Sequence, residues 1–204
     1  MNIKSVINQS NNYKDFHNLL SSFTEKQKGD LFEEFCVLIF KLHPFYKNIT
    51  KEAYLLKDVP ITILDKLNLP ANDIGIDVIV ITNDDKYYAV QVKFRSNREI
   101  NIDYNQLGTF VGTSFGIANN IEKAFYFSNT YPLNKNIKNS KIITIYGDFF
   151  DNLPDNLFIS IKNYLNKQNN NRNIILPRPY QKIIIDTSIE YFKTHNIGYL
   201  EMMC

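Results

Sequence analysis

The stretch from Asp73 to Lys93, DIGIDVIVITNDDKYYAVQVK, constrains this chain more than any other. Two short apolar runs, Ile76 to Ile81 and Tyr88 to Phe94, flank the polar Asn83-Asp84-Asp85-Lys86. Runs of this length between turn residues predict a hairpin. Each run carries groups that a buried strand does not hold without a reason. Asp77 stands at the start of the first, and Gln91 and Lys93 punctuate the second. Side chains two apart share a strand face, roughly 7 Å from one another. Gln91 and Lys93 therefore point the same way as Ala89, and Tyr88, Val90 and Val92 the other way. The place of Asp77 depends on register, because a one-residue slip reverses a side chain's face. With Thr82 opposite Tyr87, Asp77 would face Val92. An odd-length loop, or a bulge, near Asn83 to Lys86 would instead pair it with Gln91 or Lys93 and gather all three on one face.

Such a trio has a chemical use. Hydrolysis of a phosphodiester calls for a metal that neutralises the phosphate and lowers the pKa of an attacking water. Mg²⁺ prefers hard oxygen ligands and needs only one or two carboxylates besides the substrate. Asp77 supplies a carboxylate, Gln91 a neutral amide oxygen, and Lys93 a compact cation for the water or the phosphorane. A glutamine in place of an acid weakens metal binding, so a further carboxylate is expected. The N-terminal helix offers Glu33 and Glu34. Taken singly, each residue has a plain structural reading: an Asp caps a strand, and a Gln or Lys marks a solvent face. Their shared face in an otherwise apolar strand favours the site.

The rest of the chain supplies the frame. The 204 residues suffice for one full domain and part of another. The net charge of +2 gives no global basic field, so any nucleic-acid surface must be local. The best candidate is Lys93 to Arg98, KFRSNR, in which Arg95 and Arg98 would hold phosphates flanking the scissile one; a solvated loop is the alternative. The three histidines, His17, His43 and His195, are too scattered in sequence for a zinc site. No apolar run reaches membrane-spanning length, and the N-terminus lacks a signal peptide's apolar core. Cys36 and Cys204 have no metal-ligand spacing, which points to a reduced, intracellular compartment.

Helical spacing covers residues 13–22, and a second helix runs from Thr24 to Leu42, where His43-Pro44 stops it. A strand near Ala53 to Leu56 and a short helix within 61–69 precede the hairpin. A helix from Tyr104 to Phe115, capped by Asp103, strands at Lys123 to Phe127 and Ile142 to Tyr146, and a helix from Leu157 to Leu165 follow it. Residues 1–11 are polar and read as a loose terminus. This order predicts an α/β domain over residues 1–166, with a mixed sheet covered on both faces. The Asn-rich stretch 167–174 reads as a linker, and residues 175–204 as a helix and a strand-like run too short for a domain.

Three segments carry a resemblance: KGDLFE at Lys28 to Glu33, DIGID at Asp73 to Asp77, and QVK at Gln91 to Lys93. They resemble the Mrr-like branch of the PD-(D/E)xK nucleases, which have the restriction-endonuclease-like fold. The resemblance implies a Mg²⁺- or Mn²⁺-dependent DNA endonuclease. Glu33 would be the helix acid, Asp77 the metal-binding acid, Gln91 the variant ligand of a Q-x-K motif, and Lys93 the catalytic lysine. Glu34 lies off the signature, and Asp73 matches an acid whose role stays open. The alternative implied is an inactive module of the same fold that binds DNA or docks a helicase.

The tail carries a second resemblance. LPRPYQ, at Leu176 to Gln181, is similar to the lead-in of superfamily 2 helicases of the restriction type, where Arg178, Tyr180 and Gln181 would lie beside the adenine of ATP. No Gly-rich phosphate loop is present, so ATP binding is expected only in a full-length enzyme of which this chain would be the N-terminal part. DNA and a C-terminal helicase domain are the implied partners. Cutting both strands needs two sites, which a homodimer would supply. No membrane role is expected.

Overall fold

A computed structural model describes residues 2–70, 75–100, 104–131, 141–167, 179–192 and 194. The chain divides into two compact units, Met1–Gln168 and Asn169–Cys204.

The first unit opens with helices α1 (Ile3–Asn8), α2 (Tyr13–Leu20) and α3 (Glu25–Leu42). Thr24 starts α3 through a capping box: its hydroxyl accepts from the Gln27 N–H, and the Gln27 side chain accepts from the Thr24 N–H. His43 turns to extended backbone ahead of Pro44 and ends the helix. Helix α1 corrects the expectation of a loose terminus. Asn2 caps it by accepting from the Ser5 N–H at 3.0 Å, and Ile3, Val6 and Ile7 are buried. Their i, i+3, i+4 spacing is a helical stripe that the polar residues around it conceal.

Strand β1 (Thr50–Leu55), helix α4 (Ile61–Leu67) and strands β2 (Val78–Thr82) and β3 (Tyr87–Lys93) follow. Helix α5 (Tyr104–Gly112) runs into a π-helical turn, Thr113–Ile117, and connects β3 to β4 (Ile121–Ser128). Strand β5 (Ile142–Ile145) and helices α6 (Gly147–Asp151) and α7 (Asp155–Leu165) complete the unit. The five strands form one mixed sheet in the order β1-β2-β3-β4-β5. The β1–β2 and β2–β3 pairs are antiparallel, and β3–β4 and β4–β5 are parallel. This is the restriction-endonuclease-like α/β arrangement expected from the sequence.

Alternation along the central strands splits the interior in two. Val78, Val80, Val90 and Val92 face α3 in a core rich in phenylalanine, where Phe16 and Phe35 stack at 4.5 Å. Ile79, Ile81 and Ala89 face the opposite way, with Leu64 and Leu67 of α4 and Leu107 and Phe110 of α5. Burial on both faces explains why β2 reads as an unbroken apolar run rather than an alternating one.

In the second unit, helix α8 (Pro179–Phe192) is described, and Ile183, Ile185, Ile189 and Phe192 on it are exposed. Arg178 lies outside the described residues. Tyr180 and Gln181 are placed in α8 by their backbone. The strand-like run Gly198 to Cys204 also lies outside them. Among the described residues no helix is long and apolar enough to cross a membrane.

Candidate active site

The β2–β3 loop is odd. Thr82 bonds through its N–H to the carbonyl of Lys86, leaving Asn83, Asp84 and Asp85 as the connection. Asp85 takes a left-handed conformation, φ +58°, as the third residue of such a loop does. The ladder runs Ile81↔Tyr87, Val80↔Tyr88, Ile79↔Ala89 and Val78↔Val90. The Asp77 N–H donates to the Val90 carbonyl, already opposite Val78, and the Asp77 carbonyl accepts from the Leu56 N–H.

The Asp77 side chain is fixed from β3. Its Oδ2 accepts a 2.6 Å hydrogen bond from the Val92 N–H, so the carboxylate is tied between the positions of Gln91 and Lys93. Gln91 is 3% exposed. Its Nε2 donates to the Gly75 carbonyl at 3.0 Å, which fixes the amide, and its Oε1 is buried without a hydrogen-bond partner. Gly75 makes this contact at φ +87°, a backbone region that favours glycine, between Gln91 and the Thr109–Phe110 turn of α5. The GID sequence thus combines a turn that favours glycine with the acid that follows it. Lys93 is half-buried, pairs with Ser128 of β4, and makes no ion pair among the described residues.

Glu33 comes from the other face of the sheet, on α3. One helical turn beyond it lies Cys36, a fully buried thiol. Burial pushes the Cys36 thiol up, and the Glu33 and Asp77 charges push it further. Glu34, the neighbour of Glu33, lines a different cavity with Lys41, Tyr54 and Tyr164; burial raises its pKa. Asp73 lies outside the described residues.

Among the described residues no group of three or more His, Cys, Asp or Glu is placed to hold a metal ion. Asp77 and Glu33 are two acids, and Gln91 adds an amide oxygen. That buried, unpartnered oxygen suits a hard cation, which takes carbonyl-type donors readily.

Of the two arginines of the next loop, Arg98 is engaged through its guanidinium and Arg95 is held through its backbone. Arg98 donates from Nε to the Asn129 carbonyl at 2.8 Å and from Nη2 to both Asp151 oxygens at 2.9 and 3.0 Å, and it lies 4.4 Å from the Tyr131 ring centre. The Arg95 backbone is clamped by Asn129, whose Oδ1 accepts from the Arg95 N–H and whose Nδ2 donates to its carbonyl. Asn129 is fully buried. Its position directly after an apolar strand was the signal for this role.

A family model described as a restriction endonuclease, the Mrr-type catalytic domain, matches residues 41–145. The match includes Asp77, Gln91, Lys93, Arg95 and Arg98, and begins after Glu33. A solved structure, described as the ATP-dependent Type ISP restriction-modification enzyme LlaBIII bound to DNA, shares the fold at a TM-score of 0.52 and 20% identity. The likeness covers 94% of this chain and 12% of that one, so the present chain spans about an eighth of its length. No curated protein matches.

Proposed function

The chain belongs to the Mrr-type restriction endonuclease family, and from that premise we propose that it cuts DNA by metal-assisted hydrolysis of phosphodiester bonds. The observation that carries this reading is the pairing of a fixed carboxylate with an unpartnered buried amide oxygen: Asp77 held by the Val92 N–H, and Gln91 turned by Gly75 so that Oε1 is left over. Asp77 and Gln91 would hold Mg²⁺ or Mn²⁺, with Glu33 as a further ligand or an organiser of water. The ion would supply charge neutralisation of the phosphate and a lowered pKa for the attacking water.

The chain's own groups do the rest. The hydrogen bond to Val92 sets the Asp77 carboxylate before substrate arrives, so little reorganisation is needed. Lys93, a half-buried ammonium on the same strand face as Gln91, would stabilise the charge that builds on the phosphate oxygens. Glu33 would act from the α3 side, and so demands that substrate enter at the open end of β3.

The tail extends this assignment. Residues 1–166 would be the nuclease, 167–174 a linker, and 175–204 the leading edge of an ATP-driven helicase. The LPRPYQ segment and the Type ISP neighbour, itself ATP-dependent and bound to DNA, support this. Two copies meeting on DNA would cut both strands.

The test is Mg²⁺-dependent cleavage of duplex DNA by the intact chain. Asp77→Ala and Lys93→Ala should each abolish it with the circular dichroism spectrum retained. Cleavage that survives both substitutions overturns the assignment. The scarcity of acids at the site favours one other reading, a DNA-docking module that no longer cuts. A Mn²⁺ titration separates them, because a docking module would show no binding that depends on Asp77.

A further inference from the structure

The parallel strands β3, β4 and β5 all end on the same edge, at Lys93, Ser128 and Ile145. In open α/β sheets the crevice outside the carboxyl ends is where ligands bind. Here the loops after the three strands are locked together. The Tyr131 N–H donates to the Arg98 carbonyl at 2.7 Å, and the Gly147 N–H to the Thr130 carbonyl at 2.9 Å. A Cβ at Gly147 would come within 2.9 Å of the Asn129 carbonyl, so close packing requires glycine there. Helix α2 lies against this edge, with the His17 ring 5.5 Å from Phe94.

Two cavities that share His17 and Asn18 lie here, of about 320 and 430 Å³. Lys28 and Ser96 line the first, and Tyr13, Lys14, Arg98 and Asp151 the second. The walls are rich in donors. Lys28 is 8% exposed and donates to the Ser96 hydroxyl at 2.9 Å, and that hydroxyl's own proton goes to Glu25 at 2.9 Å. The acids close by are tied to cations: Glu25 to Lys28 at 2.7 Å, and Asp151 to Arg98 at 2.9 Å. Lys14 is exposed and makes no ion pair among the described residues. Two buried polar atoms, Tyr13 Oη and His17 Nε2, have no hydrogen-bond partner. Tyr13 is 3% exposed, and burial pushes its phenol up, so it stays a donor. An unpaired buried polar atom is costly.

We propose that this cleft is a phosphate-binding subsite that holds the DNA backbone beside the cut, with Lys14, Asn18 and Lys28 as its donors. Ser96 follows Lys93 by three residues, about 10 Å of extended chain. The cleft would hold a phosphate a few nucleotides from a scissile phosphate at Lys93. The Arg98–Asp151 pair forms part of the cleft's wall. The proposal rests on the nuclease reading for its substrate.

The experiment measures duplex DNA binding by the full chain in EDTA, where no metal-dependent cutting occurs, across a salt series. Lys14→Glu and Ser96→Asp are compared with Lys47→Glu, an exposed lysine beyond the far end of α3. Each cleft variant should weaken binding about tenfold and reduce the salt slope by about one, and the pair more than either alone. Circular dichroism checks that the variants are folded. Affinity and slope no more altered than in Lys47→Glu overturn the proposal. So does lost binding of inorganic phosphate with duplex binding intact. Failure of the nuclease reading shows separately, as wild-type cleavage that survives Asp77→Ala.

Discussion

The Asp77 carboxylate accepts a 2.6 Å hydrogen bond from the backbone N–H of Val92, the residue between Gln91 and Lys93. One acid therefore positions the site and stabilises the strand that carries it. A hydrogen bond to a charged group contributes about 1.5–3 kcal/mol. Asp77→Ala should lower stability to urea by about 2 kcal/mol, because the Val92 N–H loses its acceptor. Asp77→Asn keeps an acceptor oxygen and should cost under about 1 kcal/mol. Both should abolish Mg²⁺-dependent cleavage. An Asp77→Asn variant that cuts at the wild-type rate would show that the charge is not used in catalysis.

Gln91→Glu separates the amide's structural role from its metal role. The substitution replaces the donor that Gly75 uses with a carboxylate oxygen facing its carbonyl. Without metal the variant should lose about 1–3 kcal/mol. A site that binds Mg²⁺ or Mn²⁺ should bind it more tightly through the added charge, and saturating Mn²⁺ should raise the melting temperature of the variant more than that of the wild type. Equal shifts would place the metal elsewhere.

Arg98 should behave as a structural residue. Its guanidinium joins the loop after β3 to Asn129 and Asp151 in a forked contact, at 20% side-chain exposure. Arg98→Lys keeps the charge but loses the fork, so it should destabilise nearly as much as Arg98→Ala, by about 1–3 kcal/mol. A double-mutant cycle with Asp151→Asn should give a coupling near 1 kcal/mol. DNA affinity that falls in Arg98→Ala without loss of stability would restore the phosphate-clamp reading.

Much of this was legible in the sequence, for physical reasons that differ by residue. The hairpin could be read because turn residues interrupt two apolar runs, and the need for an odd loop followed from the two-residue period of a strand. The capping box and the proline stop fixed α3. Helix α1 was hidden because six residues carry little periodic signal, and its stability comes from burying Ile3, Val6 and Ile7 against distant parts of the chain. The engagement of Arg98 was out of reach, since Asp151 lies 53 residues away. The cleft was hidden for the same reason: His17, Lys28 and Ser96 come from three separate segments that only the folded chain brings together.

Gly147→Ala tests how tightly the strand ends are locked. An added Cβ would lie 2.7 Å from Tyr131 Cε1 and 2.9 Å from both Arg98 Nη2 and the Asn129 carbonyl. The carbonyl is backbone and cannot swing aside. The substitution should cost about 1–3 kcal/mol, the range for overpacking. An alanine variant as stable as the wild type would mean that these loops are loosely held.

Mild acid should destabilise the fold through its histidines. Burial lowers the His17 pKa below its ordinary 6.5, the Arg98 and Lys28 charges lower it further, and Asp151 opposes them. Burial lowers His43 as well. In both cases the folded protein binds the proton less readily than the unfolded chain, whose histidines titrate near 6.5. The sign follows from linkage: stability is full above about pH 6.5 and is lost as the pH falls below it, where the unfolded state takes up protons first. The urea midpoint should therefore drop between about pH 7.5 and about pH 5.5, before most carboxylates titrate. His17→Phe removes the titrating group and keeps a ring against Phe94, so it should flatten that drop, and adding His43→Phe should flatten it further. A drop of unchanged size in the double variant would assign the acid sensitivity to other groups.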